Sequence, residues 1–158
     1  VIGPRILLIG YGNPGRFDDG LGPALAEEVA RRGIPGLATD SDYQLTVEDA
    51  EAVARHEVAI LADAAAQGAE PFAWREVTAT EEAGFTTHSV QPEQLLGLVR
   101  NLFGAKTKVY LLAIRGYKFN EFGEGLSGAA QANLAAATDF VEEWIRAALA
   151  AQGVVKQA

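Results

Sequence analysis

The chain predicts a three-layer α/β/α domain on a mainly parallel, twisted sheet of about five strands, one of them antiparallel. Three observations carry that expectation. Short apolar runs alternate with stretches of helical periodicity along all 158 residues. The stretch 8–22 holds five glycines, follows the first apolar run and opens the first helical pattern, as a strand-to-helix turn of an α/β unit does. No repeat, low-complexity tract or linker interrupts the chain, so 1–158 is read as a single domain, long enough to bury a core.

Residues 5–9 read as a buried strand rich in Leu and Ile. Beyond the glycine turn, Leu21, Leu25 and Val29 recur at helical spacing, with Glu27, Glu28, Arg31 and Arg32 on other faces. Gly33 and the pair Pro35-Gly36 stop this helix. Pro23 falls in its first turn, where amides lack intrahelical partners. Residues 38–45 form a weaker strand, broken by Asp40 and Asp42. Thr46 and Asp49 have the spacing of a capping box for a helix that reaches Arg55, and His56 is a cation near its C-terminus.

Residues 58–62, Val-Ala-Ile-Leu-Ala, are the clearest buried strand, and it ends on Asp63. Loop 64–71 is too short for a helical crossover, so strand 72–78 is expected to be antiparallel and near a sheet edge. Thr86-Thr87-His88-Ser89 then lies in a loop before a helix with Pro92 early and Leu95, Val99 and Leu102 as its core stripe. A further parallel strand, 108–114, is left by Arg115-Gly116-Tyr117-Lys118-Phe119. The final helix spans 127–152, with Leu134, Val141, Ile145 and Ala148 inward and Gly153 as stop.

Composition narrows the chemistry. Cysteine is absent, which excludes disulfides, thiolate metal sites and a cysteine nucleophile. His56 and His88 are the only histidines, Ser41, Ser89 and Ser127 the only serines, and neither a Gly-x-Ser-x-Gly elbow nor a His-Glu-x-x-His helix occurs. A net charge of −8 argues against nucleic acid or an anionic membrane as partner. No apolar run is long enough to span a membrane, and residues 1–5 lack the shape of a signal peptide, so the expected location is cytoplasmic.

In an open parallel sheet, sites form outside the carboxyl ends of the strands. Asp18 and Asp19 follow the first strand, Asp42 and Gln44 close the second, Asp63 ends the third, and Arg115 follows the last. His88 enters its helix from the same direction. Singly, each has an ordinary reading: Asp19 as an N-cap, Asp63 in an Asx turn, His88 as a loop histidine. Together, two carboxylates and one imidazole from three loops favour a metal site. Oxygen and imidazole donors without sulfur suit nickel, zinc, manganese or iron, and the set does not choose among them. Gly10-x-Gly12-x-x-Gly15 also matches a dinucleotide fingerprint. Against that, Pro14 removes an amide from the cradle, and Asp18-Asp19 would meet a pyrophosphate with like charge.

The series Gly10-Tyr11-Gly12-Asn13, Asp18-Asp19-Gly20-Leu21-Gly22, Ala62-Asp63-Ala64 and Thr87-His88 resembles the nickel–iron hydrogenase maturation endopeptidases. The likeness runs over nearly the whole chain, and Tyr43-Gln44-Leu45 with Ile114-Arg115-Gly116-Tyr117 looks like one subgroup. The resemblance implies an endopeptidase that trims the C-terminal peptide of a hydrogenase large-subunit precursor after nickel insertion. It implies Asp19, Asp63 and His88 as the metal-reading and catalytic residues, with Asp18 a reserve general base. The nickel would arrive with the precursor, and no tightly held organic cofactor is expected. The second loop departs from the family, with Asp42-Tyr43-Gln44 where some members carry Gly-Thr. Two other readings stand beside it. The opening Gly-x-Gly-Asn-Pro-Gly also resembles peptidyl-tRNA hydrolases, although Phe17-Asp18-Asp19-Gly20 stands where those lead toward a catalytic histidine and the acidic surface is wrong for tRNA. A non-catalytic, metal-dependent maturation chaperone is the third, since no nucleophile is visible.

Overall fold

The computed structural model describes residues 5–80 and 90–157. Five strands form one sheet in the order β2-β1-β3-β5-β4. The elements in chain order are β1 (Ile6–Tyr11), a 3-10 turn (Phe17–Gly20), α1 (Leu21–Arg31), β2 (Leu37–Asp42), α2 (Asp49–Ala54) and β3 (Val58–Ala65). They continue with β4 (Phe72–Glu76), α3 (Pro92–Phe103), β5 (Lys108–Arg115) and α4 (Gly128–Gln157). β1, β2, β3 and β5 are parallel; β4 pairs antiparallel with β5 at the sheet edge. The three-layer architecture and its one antiparallel strand are as the sequence predicts.

Both sheet faces are covered because the strands are apolar on both sides. Ile6 and Leu8 of β1 and Ile60 and Ala62 of β3 pack under α1 and α4, against Leu25, Val29, Val141 and Ile145. Leu7, Ile9, Ala59 and Leu61 point the other way, against Val53 of α2 and Leu95 and Val99 of α3. Each of these large side chains, fully buried, contributes about 1.5–3 kcal/mol. Where α1 leaves the glycine turn it lies almost on the sheet. A Cβ on Gly22 would stand 2.4 Å from the Tyr11 carbonyl oxygen and 2.5 Å from that of Ala62. That close approach, rather than turn geometry alone, requires glycine there.

Several boundaries differ from the periodicity. β1 runs to Tyr11 and β3 to Ala65, so Asp63 lies inside a strand rather than ending one. The cause is β5, which pairs with β3 as far as Ala65 and Arg115 and keeps β3 extended beyond its last pair with β1, Ala62 with Gly10. β2 stops at Asp42, and α2 begins at Asp49, whose carboxylate accepts the Thr46 N–H at 2.9 Å across an intervening turn. Leu102 is 69% exposed, and Leu96 takes the inward place beside Leu95 and Val99. Gly153 does not stop α4, which continues to Gln157; glycine in a helix costs only about 1 kcal/mol. His56 does sit at the end of α2, with Nδ1 2.7 Å from the Ala52 carbonyl oxygen. Among the described residues no helix is long and apolar enough to cross a membrane.

Candidate active site

β1 is the strand from which the sheet grows in both directions. α1 returns the chain to β2 on one side, and α2 leads on to β3 on the other. The crevice above β1 and β3 is therefore the topological switch point where open α/β sheets bind their ligands. Asp63 sits there. The parallel register sets Ile9 beside Leu61 and Gly10 beside Ala62, and one further step brings Tyr11 beside Asp63. Alternation then puts both side chains on the α2–α3 face of the sheet, where Leu7, Ile9, Ala59 and Leu61 already point.

The Tyr11 hydroxyl interacts with the Asp63 carboxylate and favours its charged form. Asp63 Oδ1 accepts the N–H of Ala64 at 2.8 Å. Burial is the main influence on its proton affinity and raises its pKa; the negative charge of Asp19 raises it further, while the bonds from Ala64 and Tyr11 pull it down. The outcome is a carboxyl pushed up to about 6. Tyr11 is held well above the ordinary phenol value, first by its own burial and then by the neighbouring Asp63 charge.

Asp19 reaches the same crevice from the 3-10 turn. It does not cap α1: Gly20 is the N-cap, without a side-chain bond. Its Oδ2 instead accepts the N–H of Asn13 at 2.8 Å, which closes the glycine turn on itself. Each carboxylate is thus tethered through one oxygen to a backbone amide, and the two are close enough for one charge to act on the other. Among the described residues no third His, Cys, Asp or Glu joins them in a metal-sized group. His88, the third residue the sequence singled out, lies outside the described residues. It precedes Val90, which donates to the Leu45 carbonyl and introduces α3, a helix on the face that Tyr11 and Asp63 share.

The remaining sequence candidates are placed elsewhere. Asp18, fully buried, is bonded to the 116–127 loop and to Ser127. Arg115 turns from the acids: Nη1 lies 3.0 Å from the Gly68 carbonyl oxygen and 3.6 Å from Glu70. Asp42 and Tyr43 line a cleft of about 250 Å³ together with Gly12, Pro14, Pro23 and Ser41. That cleft opens on the β2 side of the glycine turn whose other side carries Asp19. The residues that motif reading passed over are Tyr11 and Asn13. Both lie inside the glycine motif, and the alternation of β1 carried one residue further was the signal for Tyr11.

Neither a family model nor a curated protein sequence matches the chain. Solved structures do. The hydrogenase maturating endopeptidase HybD from E. coli superposes with a TM-score of 0.72 at 19% identity, over 91% of this chain and 93% of that one. The [NiFe] hydrogenase maturation protease HycI from Thermococcus kodakarensis gives 0.67 at 18% identity, over 88% and 90%. The hydrogenase 2 maturation peptidase from a Thaumarchaeota archaeon gives 0.66 at 21%, over 89% and 97%. The chain has the fold of a hydrogenase maturation protease. The resemblance read from the motifs is thereby borne out at the level of architecture, over about nine-tenths of the chain. Within that fold, the paired carboxylates Asp19 and Asp63 stand at the switch point above β1 and β3.

Proposed function

We propose that the chain is an endopeptidase that removes the C-terminal peptide of a nickel–iron hydrogenase large-subunit precursor once nickel has been inserted, reading the nickel as part of its substrate. The observation that carries this reading is the coupling of Asp19 with Asp63 in a fold shared with hydrogenase maturation proteases. Two carboxylates brought together without a counter-ion repel each other, and one answers by holding its proton more tightly. A divalent ion presented by a precursor relieves that repulsion; a precursor without one does not. Burial is the larger cause of the displacement from 3.8 to about 6 and the Asp19 charge the lesser one, so the ion relieves a part of the roughly 3 kcal/mol that the displacement represents. That differential makes cleavage wait for the metal.

The oxygens not tied to the Asn13 and Ala64 amides are the ones available to the incoming ion, with His88 as the third donor. Tyr11 lies beside Asp63 and its hydroxyl favours the charged carboxylate. A carboxyl with a pKa near neutrality also suits a general base that takes a proton from the attacking water. The cleft beside the glycine turn has room for a substrate side chain next to the bond that breaks.

The test is incubation of the purified protein with a large-subunit precursor, with and without nickel. Shortening of the nickel-loaded form alone is expected. Equal rates on both forms would sink nickel recognition, and stable complex formation with no shortening would make the protein a binding module. Asp19→Asn, Asp63→Asn and His88→Ala should each abolish processing while circular dichroism stays unchanged.

A further inference from the structure

Asp18 is the one fully buried carboxylate among the described residues, and its hydrogen bonds leave the site rather than entering it. Oδ2 accepts the N–H groups of Tyr117 at 2.8 Å and Lys118 at 3.0 Å and the hydroxyl of Ser127 at 2.7 Å. Oδ1 accepts the N–H of Ser127 at 2.8 Å. The Ser127 Oγ in turn accepts the N–H of Ala130 at 3.2 Å, in the first turn of α4. One carboxylate therefore joins the 3-10 turn, the β5–α4 loop and the start of the last helix. Burial alone would raise its pKa, but these four bonds outweigh burial and hold it below the usual carboxylate range.

The turn it anchors would not keep its shape unaided. Phe17, the residue before Asp18, has φ +50°, the left-handed region that a bulky side chain avoids. Three contacts maintain it. Its N–H donates to the Gly123 carbonyl at 2.9 Å, its ring lies where any side chain on Gly123 would have to be, and the Lys118 ammonium sits 4.0 Å from the ring centroid. The Asp18 N–H donates to the Lys118 carbonyl at 2.9 Å, and the Gly123 N–H to the Gly15 carbonyl at 2.8 Å. These contacts come from the loop Asp18 holds and add to the turn's own bond from the Asp19 N–H to the Arg16 carbonyl at 3.1 Å, and Asp19 is one peptide bond away.

We propose that Asp18 is a positioning residue: by clamping the 116–127 loop it fixes the 3-10 turn that aims Asp19 at Asp63. It touches neither substrate nor the reacting atoms. Asparagine in its place has the same shape but loses the charge and turns its NH2 group toward at least the Ser127 N–H, donor against donor. The loop then separates, Phe17 relaxes, and Asp19 loses its bond from Asn13.

This inference rests on the proposed role of Asp19, and its readout is separate from processing. The Asn13 amide proton, bonded to the charged Asp19 Oδ2 at 2.8 Å, reports the aim of Asp19 in nitrogen–proton correlation spectra. Asp19→Asn gives its position when that charged bond is lost. Asp18→Asn is expected to move the resonance at least half of the way to that position while circular dichroism stays native. Ser127→Ala, which removes the 2.7 Å bond to Asp18 and the 3.2 Å bond from Ala130 but keeps the other three bonds to Asp18, moves it less in the same direction. An Asn13 resonance left at the wild-type position in folded Asp18→Asn overturns the proposal. If Asp18→Asn does not fold, an unchanged resonance in Ser127→Ala overturns it. With nickel-loaded precursor, Asp18→Asn should lower kcat by about a hundredfold at little change in KM, the effect of a catalytic group misplaced by about 1 Å. A wild-type protein that does not process precursor counts against the proposed function, and the spectra still decide the role of Asp18.

Discussion

Removing the charge of Asp63 should stabilise the protein while destroying the activity proposed for it. A carboxyl whose folded pKa lies above its unfolded one binds its proton more tightly in the folded state. For Asp63, with an ordinary value of 3.8 and a folded value of about 6, the contribution is neutral below both. As pH rises through that interval it becomes a growing penalty on folding. Fully developed, the penalty is about 3 kcal/mol, and roughly 2.5 kcal/mol of it appears between pH 4 and pH 7.5. Asparagine keeps an acceptor for the Ala64 N–H and an amide that can meet the Tyr11 oxygen, so the exchange is nearly isosteric. The difference in unfolding free energy between Asp63→Asn and the parent should therefore grow in favour of the variant by about 2.5 kcal/mol from pH 4 to 7.5. That corresponds to about 5–10 °C in Tm for a chain of this size. Urea titrations followed by the fluorescence of Trp74 and Trp144, packed 5.1 Å apart in the aromatic cluster under α4, supply the measurement. Carboxylates remote from Asp63 titrate alike in both proteins and cancel. A difference that stays flat across this range refutes the argument that Asp63 is buried at a cost.

Asp19→Asn removes one of the two influences that raise the Asp63 pKa. Carbon-detected titration of the Asp63 carboxyl should show its midpoint moving from about 6 toward the ordinary carboxylate value, though not reaching it, because burial persists; an unmoved midpoint means the two charges do not meet. Gly22→Ala should cost about 3 kcal/mol or more in calorimetry, since overpacking of this severity cannot be relieved by a rotamer change. The atoms in the way, 2.4 and 2.5 Å from the added Cβ, are backbone carbonyl oxygens of β1 and β3.

How far the sequence could be read depended on whether a feature is local. Strands β1, β3 and β5 declare themselves because they are buried on both faces and read as unbroken apolar runs. β4 was placed correctly by a length argument, a loop too short to cross the sheet. Strand ends were misjudged because pairing, not composition, sets them: β3 stays extended past Asp63 only because β5 lies alongside as far as Arg115. Leu102 fits the helical stripe of α3 by spacing yet is 69% exposed, because the helix outruns the sheet beneath it. Gly153 looked like a stop, but a single glycine opposes a helix by an amount that thirty residues of propagation override.

The two neighbouring aspartates show the limit more sharply. Asp18 and Asp19 are chemically identical, adjacent, and both could cap a helix or serve a site. The sequence offers no means of ranking them except position before Gly20. What separates them is a loop a hundred residues later. Tyr117, Lys118 and Ser127 present three N–H groups and a hydroxyl to Asp18, and this long-range demand consumes its carboxylate. Among the described residues Asp19 keeps one local tether, the Asn13 N–H, and its charge acts on Asp63. Of the two, then, the carboxylate with fewer partners among the described residues is the one proposed to act on a substrate, and the saturated one is proposed to fix the turn. In the proposed reading the two roles require each other: a charged ligand at a turn containing a left-handed Phe17 needs a neighbour that holds the turn closed.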